Sequence, residues 1–257
     1  MKVVTIIQAR MGSTRYPGKM LRLMLDRPVI AWTVGRVSLS KCVHSVVVAT
    51  SKAKEDNPIV QWCIDNEVPV FRGAEKDVLD RYYRCALEHN ATHVVRVTGD
   101  CPLIDPQIID SVVHLCTSGE HVDYATNAEP VTYPEGMSVE VMPLETLEVA
   151  WRESTLPSHR EHVTPFVRFH PERFKHATLQ SKLDLSDIRL TIDYKEDVIG
   201  VSKLLEVLDR RDFGLKFSLE DVLAVLEQEP EIQSLLGSRE RDLWRYDIAR
   251  EEGRPLV

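Results

Sequence analysis

Three cations and two glycines share the stretch "QARMGSTRYPGKM", from Gln8 to Met20: Arg10, Arg15 and Lys19 with Gly12 and Gly18. Guanidinium and ammonium groups hold phosphate oxygens, and glycines let a backbone approach them closely. This is not a Walker phosphate loop, which needs four residues between its glycines and Ser or Thr after Lys. Here five residues separate Gly12 from Gly18, and Met20 follows Lys19. Two acidic stretches complete the set, "TGDCPLID" with Asp100 and "IDYKED" with Asp193. A cationic loop and two carboxylates brought to one rim fit a nucleotide with Mg²⁺, an ion that takes one or two carboxylates and phosphate oxygens. Each feature also has a plainer explanation alone: the loop as a solvated basic turn, and the aspartates as helix N-caps.

The elements around these residues decide whether they meet. "VVTII", "SVVVATS", "VPVF" and "THVVRVTGD" read as buried strands, separated by the helical patterns "PVIAWTVGRVSL", "NPIVQWCIDNE" and "EKDVLDRYYRCALEHN". Continuous apolar strands spaced by helices imply a mostly parallel sheet with helices on both faces. In such sheets ligands bind beyond the carboxyl ends of the strands, where all three polar stretches fall. The helix after "VPVF" offers Asp77–Arg81 and Asp80–Arg84 at i,i+4, read as solvated pairs. From about 123 to 176 the rhythm breaks; "MSVEVMP" alternates and helical stretches follow, so an insertion lobe over the sheet is expected. "IRLTID" returns as a core strand. The expected division is a domain over 1–237 and a charged tail over 238–257, either a docking arm or a frayed end.

Composition narrows the class. Of 257 residues, 43% are hydrophobic and 28% charged, an ordinary globular balance. With 32 basic and 40 acidic residues the net charge is −8, which disfavours a nonspecific nucleic-acid binder. The five cysteines are scattered without a C-x-x-C pair, as in a reducing cytoplasm. No apolar run reaches the roughly 20 residues of a membrane span. His159 and His162 could share a helix face toward zinc, but no third ligand is indicated. Cys101 beside Asp100 is not needed as a nucleophile, because phosphoryl transfer of this kind rests on positioning and charge neutralisation.

The segments "IIQARMGSTRYPGKML", "VVVATS", "VFRGAEKDVLDRYYRCA", "VVRVTGDCPLIDP", "EGMSVEV", "REHVTPF" and "LTIDYKED" stand in the order and spacing of the SpsF-type cytidylyltransferases. That family, of spore coat polysaccharide biosynthesis, is similar to the CMP-Kdo and CMP-sialic acid synthetases. The resemblance runs from Lys2 to about Arg210. It implies a GT-A-like α/β nucleotidyltransferase fold and transfer of CMP from CTP to an acidic or phosphorylated sugar-like acceptor. It also implies Mg²⁺ (or Mn²⁺), pyrophosphate release and a homodimer. Carried over by residue, Arg10, Arg15 and Lys19 resemble the triphosphate grip, with Gln8, Ala9 and Ser13 beside the nucleotide. Thr50, Ser51, Arg72 and Gly73 resemble part of the base pocket, Asp100 and Asp193 the metal-binding pair, and Glu140 with "HREH" the acceptor and dimer contacts. Two departures stand out: Asp26 where the family writes glycine, and "DYKED" where it writes "D-T-P-E-D". A glycosyltransferase of the same fold is the competing enzyme, although no D-x-D metal motif is present. A nucleotide-binding protein that has lost catalysis is the competing non-enzyme. The sequence does not identify the acceptor.

Overall fold

Strand β1 (Val3–Gln8) is buried on both faces, with Val3 and Ile7 in one apolar core and Val4 and Ile6 in the other. The computed structural model describes residues 1–237 and 244–252. After the basic loop comes a hairpin, β2 (Leu23–Met24) and β3 (Arg27–Pro28), then α1 (Val29–Val37). Strands and helices alternate from there: β4 (Ser45–Ser51), α2 (Asn57–Asp65), β5 (Val70–Gly73), α3 (Val78–Glu88), β6 (His93–Thr98) and α4 (Pro106–Thr117). Next are β7 (Tyr124–Thr126), β8 (Glu140–Pro143), α5 (Leu144–Glu153), α6 (Pro157–His162), α7 (Pro165–Arg168) and β9 (His176–Thr178). The last described elements are helices α8 (Lys195–Arg210), α9 (Leu219–Gln228), α10 (Pro230–Leu236) and α11 (Trp244–Glu252).

The sheet runs β5-β4-β1-β6-β8-β7-β9. The first four strands are parallel, β8 is antiparallel to both β6 and β7, and β9 runs parallel to β7. Residues of α1, α2, α4 and α8 to α10 fill the core on one face; those of α3, α5 and α7 fill the other. The expected α/β architecture is therefore present. Among the described residues no helix is long and apolar enough to cross a membrane.

Two expectations are corrected. The region over 123–176 is threaded into the sheet rather than laid over it, because β7 and β8 extend it beyond β6 and only α5 to α7 cover a face. "IRLTID" is no sheet strand: Arg189 makes one isolated bridge to Glu135, and the Ile192 amide donates to the Asp100 carbonyl at 2.9 Å. Its buried Leu190 and Ile192 give a strand-like pattern, but its backbone bonds go to turns. In the hairpin turn beside Asp26, Leu25 stands at φ 52, a left-handed conformation that costs a non-glycine residue about 1 kcal/mol. Of the expected tail, 238–243 and 253–257 lie outside the described residues. The intervening α11 lies on α6, where Glu251 accepts from the Ser158 amide (3.0 Å) and hydroxyl (2.6 Å).

Candidate active site

The loop after β1 is fixed by its small and apolar residues, which frees its cations for other work. Ala9, Tyr16 and Met20 are buried. The Met11 carbonyl accepts from the Ser13 and Gly18 amides, both at 2.9 Å. Gly18, at φ 77, opens a single 3₁₀ turn over Lys19–Leu21, a conformation glycine adopts without penalty. That turn points Lys19 inward. Asp56, which the sequence did not single out, pins the loop from the other side. It is 3% exposed and accepts from the Met11 amide at 2.7 Å and from the Ser51 amide and hydroxyl.

Lys19 Nζ donates to Asp100 Oδ2 (2.6 Å), to the Ile192 carbonyl (2.7 Å) and to Asp193 Oδ1 (3.0 Å). Two carboxylates far apart in sequence thus converge on one ammonium, at the end of β6 and beside the loop. Lys19 was expected to expose its ammonium to phosphates; it is instead 5% exposed and held between the aspartates. Burial pulls its pKa down, but Asp100 and Asp193 outweigh that and hold it above the ordinary value.

Asp193 collects more cations than Lys19 alone. Arg15 donates to its Oδ1 at 2.6 Å and Arg189 to its Oδ2 at 3.0 Å. Asp197 supports the arrangement, taking the amides of Asp193 (2.7 Å) and Tyr194 (2.8 Å) at the start of α8. Burial works against ionisation of Asp193, yet Lys19, Arg15 and Arg189 prevail and its pKa falls to about 2. Burial pushes the neighbouring Cys101 thiol well above its ordinary pKa, which makes it inert as a nucleophile.

These groups line a cleft of ≈ 260 Å³. Gln8, Ala9, Arg10, Ser13, Arg15, Lys19, Asp100 and Asp193 are all in its wall, together with Thr14, Met20, Val78, Arg81, Thr98, Glu161 and His162. Glu161 and His162 belong to "HREH" and face the loop, with Glu161 4.0 Å from Arg10. Burial holds the His162 imidazole below its ordinary pKa. A wider hollow of ≈ 570 Å³ lies near the start of β6, around Thr92, His93, Glu145 and Glu148, away from this convergence of cations.

The residues expected in the base pocket stand at the ends of β4 and β5. Thr50 and Ser51 are buried, and Ser51 is bonded to Asp56. Arg72 is committed to the backbone, its Nε donating to the Ser51 carbonyl (3.0 Å) and its Nη2 to the Ala53 carbonyl (2.9 Å). Gly73 leaves room for Arg81, whose Cγ would lie 2.8 Å from an added Cβ. Glu140, expected among the acceptor contacts, lies inside the protein. It is 3% exposed and bonded to Arg96 and the Tyr124 hydroxyl, so its carboxylate is already spent inside the protein. The Asp80–Arg84 pair forms at 2.9 Å, but Asp77 pairs with Arg160 at 2.6 Å instead of Arg81.

Asp100 and Asp193 offer hard oxygen donors that already bracket a cation, the Lys19 ammonium. Among the described residues no group of three or more His, Cys, Asp or Glu forms a closed metal site. Two carboxylates in an open cleft match Mg²⁺, which keeps its remaining positions for phosphates and water.

The family model described as cytidylyltransferase matches residues 4–230. The spore coat polysaccharide biosynthesis protein SpsF of Bacillus subtilis is 31% identical over 237 residues, covering 89% of this chain and 95% of its own. A cytidylyltransferase structure from Leptospira borgpetersenii superposes with a TM-score of 0.86 at 34% identity, covering 94% of this chain and all of the other. The structure of a CMP:2-keto-3-deoxy-manno-octonic acid synthetase complexed with CTP shares the fold alone. Its TM-score is 0.63 at 17% identity, over 80% of this chain and 99% of its own. Matched by that family model over most of its length, the chain belongs to the cytidylyltransferase family.

Proposed function

We propose that this protein transfers CMP from CTP to an acidic or phosphorylated sugar-like acceptor, releasing pyrophosphate, in the biosynthesis of a surface polysaccharide or another glycan. The observation that carries the reading is the convergence of Lys19, Asp100 and Asp193 in one cleft with Arg10 and Arg15. An acceptor oxygen attacks the α-phosphorus of CTP in line. The new O–P bond forms as the bond to the bridging oxygen of pyrophosphate breaks. Arg10, Arg15 and Lys19, all in the cleft wall, neutralise charge on the departing phosphates. Asp100 and Asp193 would hold Mg²⁺, which supplies charge neutralisation to the triphosphate. Arg189 and Asp197 keep Asp193 in place for that task.

The competing glycosyltransferase reading is weaker because the two cleft carboxylates come from separate strand and turn ends and not from a D-x-D run. The test is pyrophosphate release with CTP, ATP, GTP and UTP against a panel of acidic and phosphorylated sugars. Release is expected with CTP preferred.

Assembly belongs to the same proposal. The short edge strand β9 lies in the region to which the family resemblance assigns pairing, and an isologous homodimer is expected. Light scattering at micromolar concentration should give twice the chain mass; a monomer would refute this part alone.

A further inference from the structure

Arg81 is a buried guanidinium with much of its hydrogen-bonding capacity unspent. It is 2% exposed, yet it lines the cleft. Its Nη1 donates to the carbonyls of Ala74 and Glu75, which fixes the side chain. Its Nε has no partner, and among the described residues no carboxylate pairs with it. Asp77, its neighbour at i−4, is bonded to Arg160. Burying a cation without a hydrogen-bonded counter-charge is costly. Burial lowers its pKa, and the nearby Tyr82, Asp56 and Asp77 offset only part of that.

The position says which part of a nucleotide it faces. The Arg81 stem crosses the end of β5, where Gly73 lacks the Cβ that would block it. Asp100 follows β6, three places away in the order β5-β4-β1-β6. At about 4.8 Å per strand, the two ends of the cleft are roughly 14 Å apart. With the α-phosphate at the Asp100 end, the β5 end receives the base. Arg72, the other arginine at that end, already has its Nε and Nη2 on backbone carbonyls.

We propose that Arg81 reads the nucleobase: its guanidinium edge donates to the O2 and N3 acceptors of cytosine and so admits CTP over UTP. Uracil keeps O2 but carries a hydrogen on N3, which meets a donor with a donor. A site built on such hydrogen bonds discriminates strongly, because the mismatched base leaves buried polar groups unpaired. A lysine at this position keeps the charge and loses the planar fork.

This inference rests on the proposed use of CTP, and the test separates the two. Isothermal titration in the presence of Mg²⁺ compares CTP with UTP on the wild type and on Arg81→Lys; no acceptor is required. The wild type is expected to bind CTP at least about tenfold more tightly than UTP, and Arg81→Lys to bring the ratio within about threefold. A side chain that only ties down Ala74 and Glu75 would weaken both nucleotides equally, so an unchanged ratio overturns the proposal. If Arg81→Lys does not fold, 3-deaza-CTP puts the same question to the wild type, because a C–H replaces N3. Binding at least about tenfold weaker than CTP supports the contact; equal binding overturns it. A wild type that binds no CTP overturns this inference and the proposed function together. A wild type that binds CTP without an N3 preference overturns this inference alone.

Discussion

Asp100→Asn is expected to lose at least about a hundredfold in turnover, about 2.7 kcal/mol of transition-state stabilisation, while melting within a few degrees of the wild type. The carboxylate of Asp100 receives one strong hydrogen bond, from Lys19, and an asparagine oxygen can still accept it. The contacts that hold the turn are to the Asp100 carbonyl, from the Ile192 amide and the Thr191 hydroxyl, and these survive the change. What disappears is a negative oxygen donor for a metal–triphosphate complex. Asp193→Asn should lose as much turnover but behave differently on heating. Both Asp193 oxygens accept from cations, Arg15 and Lys19 on one and Arg189 on the other. An amide nitrogen cannot accept from the third of these, and breaking a buried ion pair costs about 3 kcal/mol. At roughly 2–4 °C per kcal/mol for a domain of this size, the melting temperature should fall by about 6–12 °C. Equal melting of the two variants would show that the Asp193 cluster is not the rigid support described above.

Replacing Lys19 by Met should have the second large effect, in two parts. Turnover with CTP should fall at least about tenfold, or 1.4 kcal/mol, through loss of a cleft cation that neutralises the departing phosphates in the proposed mechanism. The unliganded protein should also be destabilised, since Asp100 and Asp193 are left beside each other without the ammonium between them. This second part follows from the buried position of Lys19; a freely exposed lysine would be removable at little cost. Mg²⁺ alone, without nucleotide, should then raise the melting temperature of Lys19→Met more than that of the wild type, because binding to the native state stabilises it by mass action. A differential scanning calorimetry series in MgCl₂ measures both. Equal Mg²⁺ responses would argue that the two aspartates do not form a common cation site.

The parts of this site legible in the sequence were those set by strand position. "VVTII" and "THVVRVTGD" are continuous apolar runs, so their ends, and with them the basic loop and Asp100, could be placed at one rim. The tertiary partners were not legible. Arg81 at i+4 from Asp77 reads as half of a solvated helix pair, and the family resemblance adds only that Asp80 or Arg81 could order the pocket; the fold shows Asp77 turned to Arg160 and Arg81 into the cleft. Arg189 lies four residues before Asp193 in the stretch expected as a core strand; its burial against Asp193 and Asp197 depends on an extended segment that joins no sheet. The family resemblance puts Arg72 in the base pocket, and neither it nor the residue's position reveals that nearby backbone carbonyls take its Nε and Nη2.

Pyrophosphate release from CTP, measured with a panel of acidic and phosphorylated sugars in Mg²⁺ and again in excess EDTA, tests the central claim most directly. The cleft described here predicts release with at least one acid, preference for CTP over ATP and GTP, and loss of activity in EDTA that returns with Mg²⁺ or Mn²⁺. Full activity in EDTA, or faster release from ATP or GTP than from CTP with the same acceptor, would contradict it.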